Sequence, residues 1–164
     1  MRFTIWRAPP SPPPRSLLIV TMGKPRTPSI YTSPQDAAVA FYQAFEAKDV
    51  DAMMATWAED EEIVCVHPGG PRLVGYDAVR ASWDHIFSGD GRVTFRLEQI
   101  VTIETVGLAM QSAIENIHAG EAASQASALA TNVFMRTPSG WRIVCHHASA
   151  APPMAAPEKK GPLH

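Results

Sequence analysis

His67 carries the side chain best suited to proton transfer in this sequence. It directly follows the apolar run 63–66 (IVCV) and precedes Pro68. Imidazole titrates close to neutral pH, so a histidine at the end of a buried strand can act as a general base. The alternative is a structural role, in which the ring is hydrogen-bonded within the turn His-Pro-Gly-Gly. We retain His67 as a candidate catalytic residue.

A second histidine site lies near the end of the apolar stretch that begins at Trp141, where His146 and His147 are adjacent. Successive residues of a strand point to opposite faces of a sheet, so only one of the two rings can enter an inner pocket. In a regular strand, His147 shares a face with Ile143 and Cys145. The choice between the two histidines therefore depends on which face of this strand is the inner one.

Other polar and aromatic residues could complete a ligand pocket. The amide of Asn132 could orient a carbonyl oxygen, or it could be a buried amide whose hydrogen bonds are satisfied by neighbouring groups. Glu115 could reach the same pocket, although a shift of one residue in strand register would turn it to the other face. The candidate aromatic lining residues, which could equally be ordinary core residues, are Phe41, Tyr42, Trp57, Trp83 and Phe134.

Metal binding and cysteine chemistry fit the pattern less well. A metal site would need His67, His147 and His118, whose spacing matches no recognised zinc motif, so we predict no metal and no cofactor. Cys65 and Cys145 lie in apolar strands, where an inert thiol is common, although Cys145 and His147 could form a reactive pair on one face. Two cysteines cannot build a disulfide framework, and we expect both to be reduced.

These residues are positioned by a predicted order of helix, helix, strand, helix and then four strands. Ser33, Pro34 and Asp36 form a helix-start pattern, and the apolar spacing that follows continues to about Lys48. A short second helix comes next, and a third begins after Gly75. Strands joined by short turns pair antiparallel, and helices segregated from such a sheet define an α+β fold. The predicted strands are 63–66, 93–106, 108–118, 126–136 and 141–148.

Proline distribution, charge and hydropathy bound the domain and its surroundings. Of the 15 prolines, seven precede Ser33 and four follow Ala150. We therefore predict a disordered N-terminal extension over 1–33, one domain over 34–150 and a disordered tail over 151–164. The extension could instead be a transit peptide, or Met22 rather than Met1 could be the true start. A net charge of −2 argues against nucleic-acid binding, and the longest aliphatic run, 17–20, is too short to span a membrane. Because both cysteines are expected to be reduced, we predict a cytoplasmic protein.

Five sequence features occur in an order and at spacings that are characteristic when taken together: 44–51 (AFEAKDVD), 57–60 (WAED), 67–70 (HPGG), Gly75 and 140–144 (GWRIV). Together they resemble the nuclear transport factor 2-like superfamily, most closely its SnoaL-like and ketosteroid-isomerase-like members. The resemblance implies a cone-shaped fold, with a strongly curved antiparallel sheet wrapped around three helices. It also implies an apolar pocket and a homodimer formed through the outer sheet face. Members of this superfamily include isomerases, dehydratases, cyclases and non-catalytic binding modules, so the fold alone leaves the reaction open.

The resemblance also implies where a ketosteroid isomerase would keep its catalytic groups. Its Asp base would stand at His67, its oxyanion-binding Tyr at Phe41 and its protonated Asp at Asn132. All three positions depart from that pattern. Tyr42 is adjacent to the expected Tyr position, but one step along a helix turns a side chain by about 100°. We therefore expect a different polar set in the same place.

In the family pattern the face that carries His147 is the inner one, which would leave His146 on the outer face. The resemblance then implies a cofactor-free isomerase, dehydratase or cyclase that acts on a small, largely apolar ligand with a carbonyl group. His67 would move a proton, His147 would assist, and Asn132 would polarise an oxygen. The alternative is a non-catalytic module of the same fold that binds a small molecule or forms a dimer.

Overall fold

The computed structural model describes residues 29–119 and 124–151, with three helices and six strands. Most of the extension predicted over 1–33 and of the tail predicted over 151–164 lies outside the described residues. The elements, in chain order, are α1 (Pro34–Ala47), α2 (Val50–Ala55), β1 (Val64–Val66), β2 (Arg72–Val74), α3 (Tyr76–Phe87), β3 (Val93–Glu104), β4 (Leu108–Ala119), β5 (Ser124–Thr137) and β6 (Gly140–Ala150).

Hydrogen-bonded caps define both ends of α1. The Ser33 hydroxyl accepts from the Asp36 N–H at 3.0 Å, and the Asp36 carboxylate accepts from the Ser33 N–H at 3.1 Å. Pro34 follows at the first helical position, where its missing N–H costs no hydrogen bond, so the predicted helix start is confirmed. Lys48 ends the helix in the left-handed conformation, and the Asp49 carboxylate then caps α2.

The six strands form one curved sheet in the order β2-β1-β6-β5-β4-β3. From β3 to β6 the strands pair antiparallel in sequence order, as their short connections require. β1 pairs with β2 antiparallel but with β6 in parallel, so the sheet is mixed, whereas the sequence predicted antiparallel pairing throughout. The predicted α+β cone fold is confirmed. β2 is absent from the predicted strands because its three residues, two of them exposed, carry no clear strand pattern.

One extra residue in β6 changes which side chains face inward. Val133 of β5 pairs with Cys145, but its neighbour Phe134 pairs with Ile143, so Val144 has no partner in β5. A bulge of this kind shifts the alternation of side chains by one residue. The inward positions after the bulge are therefore not those of a regular strand.

The bulge places His146 on the inner face, with 4% of its surface exposed, and leaves His147 exposed on the outer face. The prediction that His147 enters the pocket while His146 faces outward is therefore wrong. It assumed an unbroken alternation from Ile143 onward. The extra residue, Val144, reverses that alternation.

The segment before α1 packs against the turn between β5 and β6. Trp141 donates its N–H to the Tyr31 carbonyl at 2.8 Å, and Arg142 donates to the Ser29 carbonyl at 2.7 Å. The Arg142 guanidinium also lies over the Tyr31 ring, 4.9 Å from its centre. Gly140 has a φ of +94°, and a Cβ there would lie 2.5 Å from the Tyr31 oxygen, so this position requires glycine.

The helices pack their apolar faces against the inner face of the sheet. Phe41 of α1 and Trp83 of α3 meet edge to face, with ring centres 5.5 Å apart. Burial of such large side chains is the main favourable contribution to folding. No helix within residues 29–119 or 124–151 is both long and apolar enough to cross a membrane. The largest fully buried apolar side chains are Trp57, Trp83, Phe41, Phe134, Met53 and Met54.

Candidate functional site

A cavity of about 170 Å³ lies between α1, α3, the loop after β1 and the inner face of the sheet. Most of its wall is apolar, with Phe41 and Phe45 from α1, Ile86 from α3, Phe95 from β3 and Ile117 from β4. Among the described residues, the side chains that bring polar atoms to this wall are His67, Trp83, Glu115 and His146. An apolar cavity with a few converging polar groups is typical of a small-molecule site.

His67 reaches the cavity from the loop that follows β1. Its Nε2 lies 3.0 Å from the Ser82 hydroxyl oxygen and 3.6 Å from the Cys65 sulfur. Its ring stands edge to face against Trp83, with centres 4.6 Å apart. Burial lowers the pKa of His67 below the ordinary 6.5, so the ring is neutral at neutral pH and can accept a proton.

A chain of buried polar groups joins two points on the cavity wall, Glu115 and His146. The Tyr42 hydroxyl donates to Glu115 Oε1 at 2.8 Å, and Asn132 Nδ2 donates to the Tyr42 oxygen at 3.4 Å. Asn132 Oδ1 lies 2.6 Å from His146 Nδ1. Because the Asn132 oxygen can only accept, His146 Nδ1 carries the proton in this contact. Each of the four side chains therefore has a partner inside the protein.

Burial governs the protonation of this chain. It raises the pKa of Glu115 above the ordinary 4.5, and the hydrogen bond from Tyr42 offsets part of that rise. Burial, with smaller contributions from the charges of His67 and His147, lowers the pKa of His146 to about 3. Burial and the neighbouring Glu115 raise the pKa of Tyr42. At neutral pH, His146 is neutral and Tyr42 keeps its proton.

Trp83 lines the cavity, and its indole N–H is a hydrogen-bond donor that no described residue uses. Its side chain is almost fully buried, and its indole N–H has no acceptor among the described residues. Unpaired buried donors are costly, so a ligand with an acceptor group would relieve this one. The indole N–H of Trp57 is also buried without a partner among the described residues, but Trp57 does not line the cavity.

The structure divides the predicted site residues into three groups. His67, Phe41 and Trp83 line the cavity. Asn132 and Tyr42 lie behind the wall, in the chain that joins Glu115 to His146. The remaining predicted residues do not line the cavity. Trp57 and Phe134 are core residues, and His147 faces outward.

Two of the polar residues on the cavity wall, His146 and Glu115, were missed or left undecided by the sequence. His146 was assigned to the outer face because the bulge at Val144 has no signature in the residue types. Glu115 has a usable signal, since it shares period-two spacing with Ala113 and Ile117, which mark the inner face of β4. The register of β4 was the missing information.

Cys65 lies beside His67, but its thiol is a poor candidate for a nucleophile. Cys65 is fully buried, and burial, with the neighbouring Cys145, raises the pKa of its thiol to about 12. A thiol that keeps its proton is a poor nucleophile, which agrees with the predicted inert role. Within residues 29–119 and 124–151, no group of three or more His, Cys, Asp or Glu side chains is placed to hold a metal ion.

Two of the solved structures that resemble this chain are more than 30% identical to it. A Thiobacillus denitrificans protein, provisionally named a calcium/calmodulin-dependent protein kinase type II association domain, is 35% identical. The match covers 76% of this chain and 99% of that one, with a TM-score of 0.68. A Streptomyces avermitilis protein, provisionally named a dehydratase of the NTF2-like family, is 31% identical over 70% of this chain and 91% of that one, with a TM-score of 0.64.

A more distant relative is the Arabidopsis thaliana F-box protein SKIP8, which is 25% identical over 111 residues. That match covers 66% of this chain and 46% of SKIP8, so the chain spans about half the length of this relative. The family model described as a SnoaL-like domain matches residues 35–154. The resemblance inferred from the short strings is thereby confirmed, and the chain belongs to the SnoaL-like domain family within the NTF2-like proteins.

Proposed function

We propose that this protein is a cofactor-free enzyme that transfers a proton on a small, uncharged carbonyl compound, in a dehydration or an isomerisation. The observation that carries the proposal is the pairing of His67 and Glu115 on one apolar cavity wall. Burial favours the neutral form of both side chains. A neutral imidazole is a base and a neutral carboxyl group is an acid, so together they can accept and return a proton.

The composition of the wall argues for an uncharged substrate. Among the described residues, no Lys or Arg lines the cavity, so a carboxylate or phosphate would be buried without a counter-ion. The aromatic and aliphatic lining would instead hold the apolar part of a ligand. The free indole N–H of Trp83 is a donor for a carbonyl oxygen. That donor would also stabilise negative charge developing on the oxygen during the reaction.

Each group has a distinct role in the proposed reaction. His67 removes a proton from the carbon next to the carbonyl group. In a dehydration, the proton on Glu115 passes to the departing hydroxyl group, which leaves as water. In an isomerisation, the proton held by His67 returns to another carbon of the substrate. The similarity to the Streptomyces avermitilis protein, provisionally named a dehydratase, supports the first of these two reactions.

The test is a panel of uncharged β-hydroxy ketones and β,γ-unsaturated ketones, because both reactions give conjugated products that absorb ultraviolet light. We expect His67→Gln to lower kcat/KM by about 100-fold or more. His85→Gln, an exposed histidine on α3, is the matched control and should keep wild-type activity. As the pH is lowered, kcat/KM should decrease because His67 becomes protonated. Since burial lowers the pKa of His67, this decrease should occur at a pH below the ordinary histidine value of 6.5. Wild-type kcat/KM in His67→Gln would overturn the assignment.

A non-catalytic binding module is the second candidate function. It is favoured by the chain from Glu115 to His146, in which every side chain already has a partner. Such a chain could serve only to shape an apolar cavity. Native mass spectrometry and thermal shift measurements with the same ketones separate the two functions. A ligand that binds to wild type and to His67→Gln alike, with no turnover by either, would favour the binding module.

We also propose that the outer face of the sheet forms a homodimer. This face carries exposed apolar side chains on three consecutive strands: Val101 and Ile103 of β3, Leu108 of β4, and Leu129 and Met135 of β5. We expect light scattering to give a dimer for wild type and a monomer for Leu129→Asp. Val39→Asp, at an exposed apolar position on α1, is the control and should remain dimeric. A monomeric wild type, or a dimeric Leu129→Asp, would contradict this interface.

A further inference from the structure

We propose that Ser82 is a positioning residue that fixes His67 in the tautomer with its proton on Nε2. In the proposed reaction, on which this inference rests, Nδ1 of His67 is then the nitrogen that accepts the substrate proton. Ser82 belongs to α3 and does not itself line the cavity. Its hydrogen bond with His67 has a definite direction.

The direction follows from the two polar atoms that the Ser82 hydroxyl contacts. Its hydroxyl oxygen lies 2.7 Å from the Val79 carbonyl oxygen and 3.0 Å from His67 Nε2. A carbonyl oxygen can only accept, so the contact with Val79 requires the hydroxyl proton. The hydroxyl has one proton, so its oxygen must accept from His67. His67 Nε2 therefore carries the proton of the neutral ring.

No described neighbour makes a hydrogen bond of similar strength that would stabilise the tautomer with the proton on Nδ1. Nδ1 has one described polar contact, with the Cys65 sulfur at 4.0 Å. A contact of that length with a thiol is weak compared with a 3.0 Å hydrogen bond to a hydroxyl oxygen. The edge-to-face contact with Trp83 holds the plane of the ring. The Ser82 contact is therefore the interaction that decides the tautomer.

His146, the other histidine on the cavity wall, provides an internal reference. Its Nδ1 donates to the Asn132 oxygen at 2.6 Å, so its Nε2 lacks a proton. The two cavity histidines thus hold opposite tautomers, each fixed by a partner behind the wall. A single spectrum can report both patterns.

The experiment is long-range ¹H–¹⁵N correlation spectroscopy of the uniformly ¹⁵N-labelled full chain at about pH 8, where both histidines are neutral. We expect the Nε2–H pattern for His67 and the Nδ1–H pattern for His146. Ser82→Ala should convert the His67 pattern to a mixture of tautomers, and Ser82→Thr should restore it. Ser88→Ala is the matched control, because the Ser88 hydroxyl also donates to a carbonyl three residues earlier but contacts no histidine ring.

The kinetic arm uses any ketone that wild type converts. Ser82→Ala should lower kcat by about 10-fold to 100-fold with little change in KM, and Ser82→Thr should recover most of the loss. An Nδ1–H pattern for His67 in wild type, or an unchanged pattern in Ser82→Ala, would overturn the assignment. A changed tautomer with wild-type kcat would overturn the role given to Nδ1. The expected tautomers with no wild-type turnover would count against the proposed function and leave the tautomer assignment standing.

Discussion

Acidification should destabilise this protein chiefly through His146. Burial holds the pKa of His146 at about 3 in the folded protein, whereas the same ring titrates near 6.5 in the unfolded chain. Between these two values the unfolded chain binds a proton that the folded protein does not. A group whose folded pKa is depressed stabilises the fold fully above its unfolded pKa. That stabilisation is lost as pH falls from 6.5 toward 3.

The size of the effect follows from the two pKa values. Each pH unit below the unfolded pKa costs about 1.4 kcal/mol for one proton. Lowering the pH from about 7.5 to about 5 crosses roughly 1.5 such units. His146 alone should therefore reduce the free energy of unfolding by about 2 kcal/mol over this interval. His67 acts in the same direction and Glu115 in the opposite one, because burial lowers one pKa and raises the other.

Urea unfolding at the two pH values, followed by tryptophan fluorescence, measures the change. We expect His146→Gln to be less stable overall but to lose about 2 kcal/mol less than wild type on acidification. His147→Gln alters the adjacent, outward-facing ring and should keep the wild-type pH dependence. Since His67 and Glu115 are present in all three proteins, their contributions cancel in the comparison. A weaker pH dependence in His147→Gln, rather than in His146→Gln, would contradict the assignment of this effect to His146.

Two further substitutions test the buried chain and the N-terminal contact. Tyr42→Phe removes the donor to Glu115 and should lower the free energy of unfolding by about 1–3 kcal/mol in urea titrations. The loss should grow as rising pH removes the proton from Glu115, because a carboxylate needs the donor more than a carboxyl group does, and Tyr31→Phe should show no such pH dependence. Gly140→Ala should cost about 1–3 kcal/mol or more in thermal unfolding, because it combines positive φ with a clash. Gly107→Ala, where a Cβ would meet nothing within 4 Å, should cost much less.

The helices were the part of the fold most open to prediction. Their signals are local, because a cap such as Ser33 and its partner Asp36 are three residues apart and satisfy each other within one turn. The apolar spacing that continues to Lys48 is also contained in the helix itself. The antiparallel strands from β3 to β6 followed from their short connections. The parallel pairing of β1 with β6 joins segments about 80 residues apart, for which the sequence offers no local signal.

The candidate site was predicted less completely, because its composition depends on which face of the sheet each side chain occupies and not only on residue type. Period-two alternation identified the right strand for the second histidine but selected His147, since a bulge is a property of pairing between strands. Tyr42 was expected to turn away from the direction of Phe41. The Tyr42 ring does point in a different direction from Phe41, but α1 packs against other elements on more than one side. The Tyr42 hydroxyl therefore still reaches Glu115 on β4. The sequence named Tyr42, Asn132 and Glu115 as candidates, but it did not show that they form one hydrogen-bonded chain or that the chain ends at His146.

The contacts of residues 29–31 with the end of the sheet determine how far the N-terminus of an expressed fragment can be shortened without loss of stability. Tyr31 supplies the acceptor for the Trp141 N–H, and Ser29 supplies one for Arg142. Expression from Met22 would keep both acceptors. Truncation to the first residue of α1 would instead expose the tip of the β5–β6 hairpin. Arg142 would lose its contact with the Tyr31 ring, and the Tyr31 backbone that now packs against Gly140 would be absent. Fragments for crystallisation or for fusion to other domains should therefore start upstream of the first helix.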